Sequence, residues 1–327
     1  MNYQSLFLSS QREEERKRDL IQGSRSFRYQ GEIYYYAYTA KLVSLKERIL
    51  SAIHQINHQL LNLDEAARKE ILRSNIMEEV VSSLEIDGYP YSRKLEKYYF
   101  EDCPPPIKMR EKPLKNLSLR VGFAVAPPCQ KKDEIKEAKD KLEQWIEENA
   151  YEDILVTNLV YHFAFETLHP YQSWNGILGR AYLSKRLSHT IYEYIAYRIS
   201  AYFKADVRRY FLSFKDAQNS KNHCNIGIFI EKMMEIIVEG VERDALELKE
   251  KVRRYKGQVA LIQKLDLKEG EKETMQGILM MRVFSYRKIS LSRLAALLGK
   301  SERTIFRHQA SIEKKYKFGE ERKSPVD

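Results

Sequence analysis

Residues 169–180 read His-Pro-Tyr-Gln-Ser-Trp-Asn-Gly-Ile-Leu-Gly-Arg, and this stretch decides the interpretation of the chain. It follows an apolar segment that predicts a buried helix over 151–168, and another helix is predicted from Gly176. A loop that leads into a helix presents free backbone N–H groups and the positive end of the helix dipole, which favours phosphate binding. His169 could serve there as a general base, and Arg180, one turn inside the helix, could pair with phosphate. A lone histidine at a helix end is more often a structural residue. Whether His169 is catalytic must therefore be judged together with the neighbouring segments.

The stretch resembles the signature of the Fic family, His-Pro-Phe-x-Asp/Glu-Gly-Asn-Gly-Arg-x-x-Arg, in the same register and without a gap. Further segments that resemble family members are FAFETL at 163–168, the predicted helix within 126–148, and residues 201–214 and 225–241. The resemblance covers roughly residues 30–245. It implies an all-α fold, a Fic-type helical domain with a small β-hairpin flap.

The sequence itself also predicts the flap. Six of the nine prolines lie between Cys103 and Pro128, and between them apolar residues alternate with small or polar ones over 117–125. A period of two is typical of a strand pair. Amphipathic helices are predicted elsewhere, from Ile33 to about Leu61 and from Asp64, a plausible N-cap, towards Ser83.

Typical Fic proteins transfer the AMP part of ATP to a protein hydroxyl, with Mg²⁺ bridging the phosphates. The resemblance therefore implies ATP as the donor and a target protein held on the 117–125 flap by strand pairing. It gives His169 the role of the catalytic base that deprotonates the target hydroxyl. The positions that it assigns to the nucleotide and its phosphates are Ser173, Trp174, Asn175, Gly176 and Arg180.

Three departures from the signature bear on activity. Ser173 stands where the family has its Mg²⁺-binding acid, and a neutral hydroxyl is a far poorer ligand for Mg²⁺. Trp174 replaces a glycine of the anion-binding turn, and Ile177 replaces the first arginine. Losing one charge-assisted contact costs roughly 1.5–3 kcal/mol, or about one to two decades in affinity. The interpretations that stay open are a weak or altered adenylyltransferase, a transferase of another phosphate compound, and a catalytically inactive pseudoenzyme.

A second resemblance lies upstream. Ser83-Leu84-Glu85-Ile86-Asp87-Gly88 is similar to the inhibitory motif Ser/Thr-x-x-x-Glu-Gly/Asn of many Fic proteins, with Asp87 in place of Glu. In the family, the carboxylate of this motif pairs with the second signature arginine and blocks the ATP γ-phosphate. The resemblance thus implies an inhibitory role for Ser83, Asp87 and Gly88, and an Asp87–Arg180 pair. A helix end closed by Gly88 accounts for the same residues without inhibition.

The positive charge concentrates at the C-terminus. The formal net charge is +10, and residues 271–327 hold 13 Lys and Arg against 7 Asp and Glu. Residues 289–317 predict two helices around a turn at Gly299, which resembles a helix-turn-helix or a winged-helix-like domain without an evident wing. This unit predicts DNA as a partner, and a plain helical hairpin with a basic face is the alternative. The residues expected at the DNA are Lys300, Ser301, Arg303, Thr304, Arg307 and Gln309.

Taken together, these segments predict three domains: an N-terminal helical region over 1–100 with the inhibitory helix, a Fic-like core with the flap over 101–268, and the helix-turn-helix over 269–327. The chain has three cysteines without C-x-x-C spacing and no long uncharged apolar stretch. These features predict a cytoplasmic protein. They predict no disulfides, no resident metal and no membrane partner. A homodimer is compatible with the sequence. The enzymatic interpretation competes with that of a Fic-fold transcriptional regulator acting through its C-terminal unit.

Overall fold

The computed structural model describes residues 25–29, 32–91, 107–111, 117–119, 123–125, 131–149, 153–219, 222, 224–286 and 290–316. Within these residues the structure is mainly α-helical. The helices, in chain order, are α1 (Ala40–Leu61), α2 (Glu65–Asp87), α3 (Lys132–Glu148), α4 (Ile154–Leu168), α5 (Asn175–Ser188), α6 (Glu193–Ala196), α7 (Ile199–Ala205), α8 (Val207–Ala217), α9 (Gly227–Gln263), α10 (Glu269–Phe284), α11 (Leu291–Leu298) and α12 (Glu302–Tyr316). The predicted all-α class is confirmed.

Two short antiparallel strand pairs accompany the helices. β1 (Arg25–Tyr29) pairs with β2 (Glu32–Tyr36), and β3 (Leu117–Leu119) pairs with β4 (Phe123–Val125) with Ser118 opposite Ala124. The predicted flap is therefore a strand pair. The tip of the flap, the proline-rich stretches beside it, Cys103, Cys129 and the first 24 residues lie outside the described residues.

The predicted helix start at Ile33 is wrong, because residues 32–36 form β2 and helix α1 begins only at Ala40. Ile33 and the tyrosines after it have side chains that favour extended backbone. The extended conformation is also satisfied by neighbouring chain: the Tyr35 N–H donates to the Cys224 carbonyl at 3.1 Å, and the Ile226 N–H donates to the Tyr35 carbonyl at 3.0 Å. The apolar spacing that predicts the helix is real only from Leu42 onward.

Helix α2 begins and ends where the sequence predicts. The Asp64 side chain accepts a hydrogen bond from the Ala67 N–H at 2.8 Å, which caps the first turn. At the other end Gly88 has φ 75, a left-handed conformation that glycine adopts without strain. The Tyr89 N–H then donates to the Leu84 carbonyl at 2.9 Å and closes the helix. The cap at Gly88 therefore leaves Asp87 in the last turn of α2.

The chain forms two compact units, one of residues 1–51 with 78–242, the other of residues 52–77 with 243–327. Helices α1, α2 and α9 each contribute residues to both units, so the units do not coincide with the three domains that the sequence predicts. In the first unit α4 is buried around nearly its whole circumference, and residues 226–241 are largely buried. Phe163, Phe214 and Phe229 pack there with ring centroids 4.7–6.1 Å apart.

The second unit contains α10, α11 and α12 around a small apolar core of Leu279, Leu294, Ile305 and Ile312. Gly299 has φ 62 and makes the turn between α11 and α12, as the sequence predicts. Ser301 caps α12 by accepting a hydrogen bond from the Thr304 N–H at 3.1 Å. Among the described residues, no helix is long and apolar enough to cross a membrane.

Candidate functional site

The loop between α4 and α5 starts at His169, the C-cap of α4. Its backbone is left-handed, with φ 48, and its N–H still donates to the Phe165 carbonyl at 3.0 Å. Buried Arg110 holds the end of this helix: its Nε donates to the His169 carbonyl at 2.7 Å and its Nη2 to the Leu168 carbonyl at 3.2 Å. A cation at the C-terminus of a helix is favoured by the helix dipole as well as by these hydrogen bonds. His169 is therefore fixed by backbone contacts on both sides.

Two further contacts fix the loop itself. The segment around Met109 pairs antiparallel with Tyr171, through the Arg110 N–H to the Pro170 carbonyl at 3.0 Å. The Asn175 side chain spans the loop from the other side, since its Oδ1 accepts from the Tyr171 N–H and its Nδ2 donates to the Tyr171 carbonyl, each at 2.9 Å. Both polar groups of Asn175 are thus used within the loop, so its side chain shapes the site predicted for phosphate.

Helix α5 begins with free donors. Its first intrahelical bond runs from the Leu178 N–H to the Trp174 carbonyl at 2.8 Å, and the N-cap residue Trp174 makes no side-chain cap. The N–H groups of residues 175–177 consequently have no acceptor within the helix. We call the place bounded by these N–H groups and the Arg180 guanidinium the candidate anion site.

A carboxylate of the chain lies at the candidate anion site. Asp87 Oδ2 lies 3.0 Å from Arg180 Nη2, and a Cβ placed on Gly176 would be only 2.7 Å from the same oxygen. Arg180 is 1% exposed and also donates to Ser83, from Nε to the side-chain oxygen at 3.0 Å and from Nη2 to the carbonyl at 2.8 Å. The predicted Asp87–Arg180 pair is therefore present, and Gly176 permits the close approach of the carboxylate.

The last turns of α2 are held in place mainly by two acids. Glu79 is buried and accepts hydrogen bonds from the Ser200 N–H at 2.7 Å and from the Ser200 hydroxyl at 2.5 Å. Directly before it in α2, Glu78 pairs with Arg198. Because these contacts hold the helix, the Asp87 carboxylate is placed without depending on its own ion pair.

The His169 side chain has a defined tautomer. Its Nδ1 lies 2.5 Å from the Glu166 carbonyl, which can only accept, so Nδ1 carries the proton and Nε2 carries the free electron pair. The pKa of His169 is lowered to about 4, mainly by burial. The Arg110 guanidinium acts in the same direction, whereas the Glu166 carbonyl and the Asp87 carboxylate oppose the shift. The imidazole is therefore neutral near pH 7, as a general base must be.

Glu166 is a site residue that sequence reasoning missed. Its side chain is 9% exposed, Oε2 lies 4.0 Å from His169 Nδ1, and Oε1 has no hydrogen-bond partner among the described residues. Burial raises the pKa of this carboxyl to about 8, with Arg180 opposing the shift and Asp87 adding to it. A Cβ on Gly179 would come within 2.1 Å of Oε1, so Glu166 packs directly against α5. Its spacing of three residues before His169 was the only available sequence signal.

Ser173 and Ile177, two of the three departures from the signature, differ in exposure. Ser173 is exposed, and Ile177 is fully buried with 0% exposure, so the position of the missing arginine now belongs to the core. Within the described residues, no three His, Cys, Asp or Glu side chains converge. A hydroxyl at 173 and a neutral buried Glu166 are poor ligands for Mg²⁺, which prefers anionic oxygen. The residues of the loop therefore do not fit the family's metal.

The residues predicted to contact DNA lie at and after the turn that precedes α12. Arg303 and Arg307 are exposed one turn apart, and Gln309 is half-buried. The charge of Lys300 is already paired with Glu273, while Ser301 and Thr304 serve the helix cap and their hydroxyl oxygens lie 2.9 Å apart. His308, which lies between Arg307 and Gln309 in the chain, faces inward: its Nδ1 lies 2.8 Å from the Thr274 hydroxyl oxygen and its ring lies over Gly270, so it packs against α10.

Comparison with solved structures identifies the fold. The chain is similar to a Fic family protein from Desulfovibrio desulfuricans G20, with a TM-score of 0.53 and 17% sequence identity over 86% of this chain and 91% of that one. No protein-family model matches the sequence. No curated protein matches it. At this level of identity the likeness concerns the fold, and the chain has the Fic fold.

Proposed function

Starting from the Fic fold, we propose that the chain is a self-inhibited, nucleotide-dependent transferase that moves the AMP part of ATP to a protein hydroxyl. The observation that carries the proposal is the Asp87 carboxylate at the candidate anion site. A carboxylate and a phosphate oxygen favour the same donors, a helix N-terminus and a guanidinium. A site that accepts the carboxylate of its own chain accepts a phosphate when that carboxylate is withdrawn.

The transfer step needs few groups. His169 Nε2 takes the proton of the target hydroxyl, and the hydroxyl oxygen attacks the α-phosphorus of ATP. The bond between the α-phosphorus and the oxygen leading to the β-phosphate breaks, and pyrophosphate leaves with the electron pair. The N–H groups of residues 175–177 and the Arg180 guanidinium stabilise the negative charge of the phosphates. The β3–β4 pair offers strand edges on which a target segment can pair.

The activity is expected to be weak. Ser173 supplies no carboxylate for Mg²⁺, and Ile177 supplies no charge, so Arg180 is the signature arginine that remains. The low pKa of His169 also makes it a weak base, because proton transfer is most effective when the pKa of the base lies near the working pH. Another phosphate compound would meet the same hydrogen-bond donors as ATP does. These donors therefore specify the phosphates of the nucleotide more closely than its adenosine part.

Incubation with ATP labelled at the α-phosphate tests the proposal. Asp87→Gly protein should label itself or an added protein fraction, and the Asp87→Gly/His169→Ala double variant should lose the label about 10²- to 10⁴-fold. The Glu85→Gln variant is the matched control, because it removes a carboxylate from the same helix turn that pairs with Lys204 instead. Equal labelling by the two Asp87→Gly proteins would rule out His169 as the base, and no labelling by either would rule out the transferase.

A second candidate function is DNA binding by the C-terminal unit. The observation that favours it is the exposed pair Arg303 and Arg307 on α12, directly after the Gly299 turn, in a segment with an excess of positive charge. Side chains at these positions suit base edges or phosphates in a major groove. The test is binding to a duplex pool at two salt concentrations.

The Arg303→Ala/Arg307→Ala variant should lose salt-sensitive binding. The Lys249→Ala/Arg254→Ala variant removes two exposed charges from α9 and should retain it. Equal binding by the two double variants would contradict the assignment of α12 as the DNA-contacting helix.

A further inference from the structure

Trp174 has a backbone conformation that a tryptophan rarely adopts. Its φ is 63, in the left-handed region, where a bulky side chain costs roughly 1–2 kcal/mol and glycine costs nothing. It sits at the N-cap of α5, next to the free N–H groups of residues 175–177, and makes no side-chain cap there. No side-chain cap offsets this strain, and strained backbone of this kind clusters at ligand-binding sites.

The indole is paired with a second aromatic ring. Trp174 and Tyr89 are edge to face, with ring centroids 6.2 Å apart and an interplanar angle of 78°. Trp174 is half-buried and Tyr89 is 39% exposed. In such a pair one ring lends its edge and the other lends one face, so the pair itself covers only one of the four ring faces.

Each residue of the aromatic pair is two positions along the chain from a residue at the candidate anion site. Tyr89 follows Asp87 by two residues, and its position is fixed by the hydrogen bond from its N–H to the Leu84 carbonyl. Trp174 precedes Gly176 by two residues, and Gly176 is the residue that the Asp87 carboxylate approaches. Exposed aromatic surface is therefore adjacent to a place for a negative charge. Nucleotides combine these two properties, a planar base and an anionic phosphate.

We propose that Trp174, supported by Tyr89, is a stacking surface for the base of the nucleotide whose phosphates occupy the candidate anion site. This inference rests on the proposed function. It concerns the base, which the N–H groups and the guanidinium of the candidate anion site do not contact. Stacking on an aromatic ring tolerates any base, because every base has a π-face. The replacement of glycine by Trp174 then gives affinity for the base in a loop that lacks the metal-binding acid.

Calorimetry with two probes separates the base from the phosphates. ATP and inorganic tripolyphosphate carry the same three phosphates, and only ATP has a base. Both are titrated into Asp87→Asn protein, in which the carboxylate no longer competes, and into the same protein with Trp174→Gly. Glycine accepts φ 63 without strain, so the loop keeps its course. The matched control is Asp87→Asn/Tyr38→Ala, which removes an aromatic ring of similar exposure, 41%, away from the loop.

ATP should bind the Asp87→Asn protein about tenfold more tightly than tripolyphosphate. Trp174→Gly should abolish that difference and change tripolyphosphate binding by less than twofold, and the Tyr38 control should retain the difference. Equal binding of the two probes to Asp87→Asn protein, or a tenfold preference that survives Trp174→Gly, would overturn the stacking surface and leave the candidate anion site intact. Binding of neither probe would overturn the proposed function and the stacking surface together.

If the Trp174→Gly protein fails to fold, a second measurement tests the stacking surface without that substitution. The chain has two tryptophans, so Trp145→Phe leaves Trp174 as the only indole. In Asp87→Asn/Trp145→Phe protein, ATP and GTP should quench the indole fluorescence and tripolyphosphate should not. Quenching that is equal with all three probes, or absent with ATP at concentrations that calorimetry shows to be saturating, would contradict stacking on Trp174.

Discussion

Asp87 Oδ2 lies 3.0 Å from Arg180 Nη2, at the first turn of α5. The guanidinium is buried and the carboxylate is 21% exposed, so the acid is the partner that can leave towards solvent. Arg180 also donates two hydrogen bonds to Ser83, and Asp87 takes no part in either of them. Under the proposed function, this pair is a releasable clamp, with a fixed cation and a removable anion.

The stability of the fold should depend on pH through Glu166. Its pKa of about 8 in the folded protein lies above the ordinary value of 4.5, so the folded state binds the proton more tightly than the unfolded state. The contribution is fully present below pH 4.5 and is lost as the pH rises through 8. Glu166→Gln mimics the neutral acid and should be more stable than wild type by roughly 3 kcal/mol at pH 7.

Denaturant unfolding of the two proteins from pH 4 to pH 8 measures this difference. Glu79, whose pKa burial also raises to about 8, is present in both proteins and cancels from the comparison. The difference between the two proteins should be small at pH 4 and grow with pH. A difference that does not change with pH would show that Glu166 is charged when buried.

Gly179 should tolerate no side chain while Glu166 is present. An added Cβ would lie 2.1 Å from Glu166 Oε1 and 3.1 Å from the Phe165 ring. Gly179→Ala should therefore lower the free energy of unfolding by roughly 1–3 kcal/mol, as overpacking does. In a Glu166→Ala background the same substitution should cost clearly less, because the nearest obstacle is gone. Equal costs in the two backgrounds, measured by thermal unfolding, would place the carboxyl elsewhere.

The tautomer and the pKa of His169 can be measured by NMR. The hydrogen bond from Nδ1 to the Glu166 carbonyl predicts that Nε2 is unprotonated, and burial predicts a pKa near 4. ¹⁵N spectra of histidine-labelled protein, assigned by comparison with His169→Asn protein, should show the Nδ1–H form from pH 6 to pH 8. An Nε2–H form or a titration near pH 6.5 would contradict the role of Nε2 as a ready base.

Much of the site could be predicted because its residues lie in two continuous motifs. The stretch at 169–180 and the segment from Ser83 to Gly88 contain both members of the Asp87–Arg180 pair and the histidine that is proposed as the base. A resemblance places such residues together without any knowledge of the loop that holds them. The use of both polar groups of Asn175 within the loop follows from the loop's course, which local sequence does not specify.

The residues that were missed come from segments without a local pattern. Arg110 lies in a proline-rich stretch, and Tyr210, whose hydroxyl lies 3.5 Å from Arg180 Nη1, looks like any core aromatic of an amphipathic helix. The strand at 32–36 was predicted to be helical because the apolar spacing of α1 was extended towards the N-terminus, over the four tyrosines that precede the helix. Tertiary contacts determine both features. Arg110 is placed by the open carbonyls at the end of α4, and the strand β2 is stabilised by its pairing with residues 224–226.

Calorimetric titration of ATP into wild type, Asp87→Asn and Glu85→Gln protein tests most directly whether Asp87 occupies a phosphate site. Removing the Asp87 charge should strengthen ATP binding by about one to two decades, because a charge-assisted competitor is lost. Glu85→Gln, which changes an exposed ion pair on the same helix turn, should bind ATP as wild type does. Equal ATP affinity in wild type and Asp87→Asn protein would contradict the clamp and, with it, the transferase proposed for this fold.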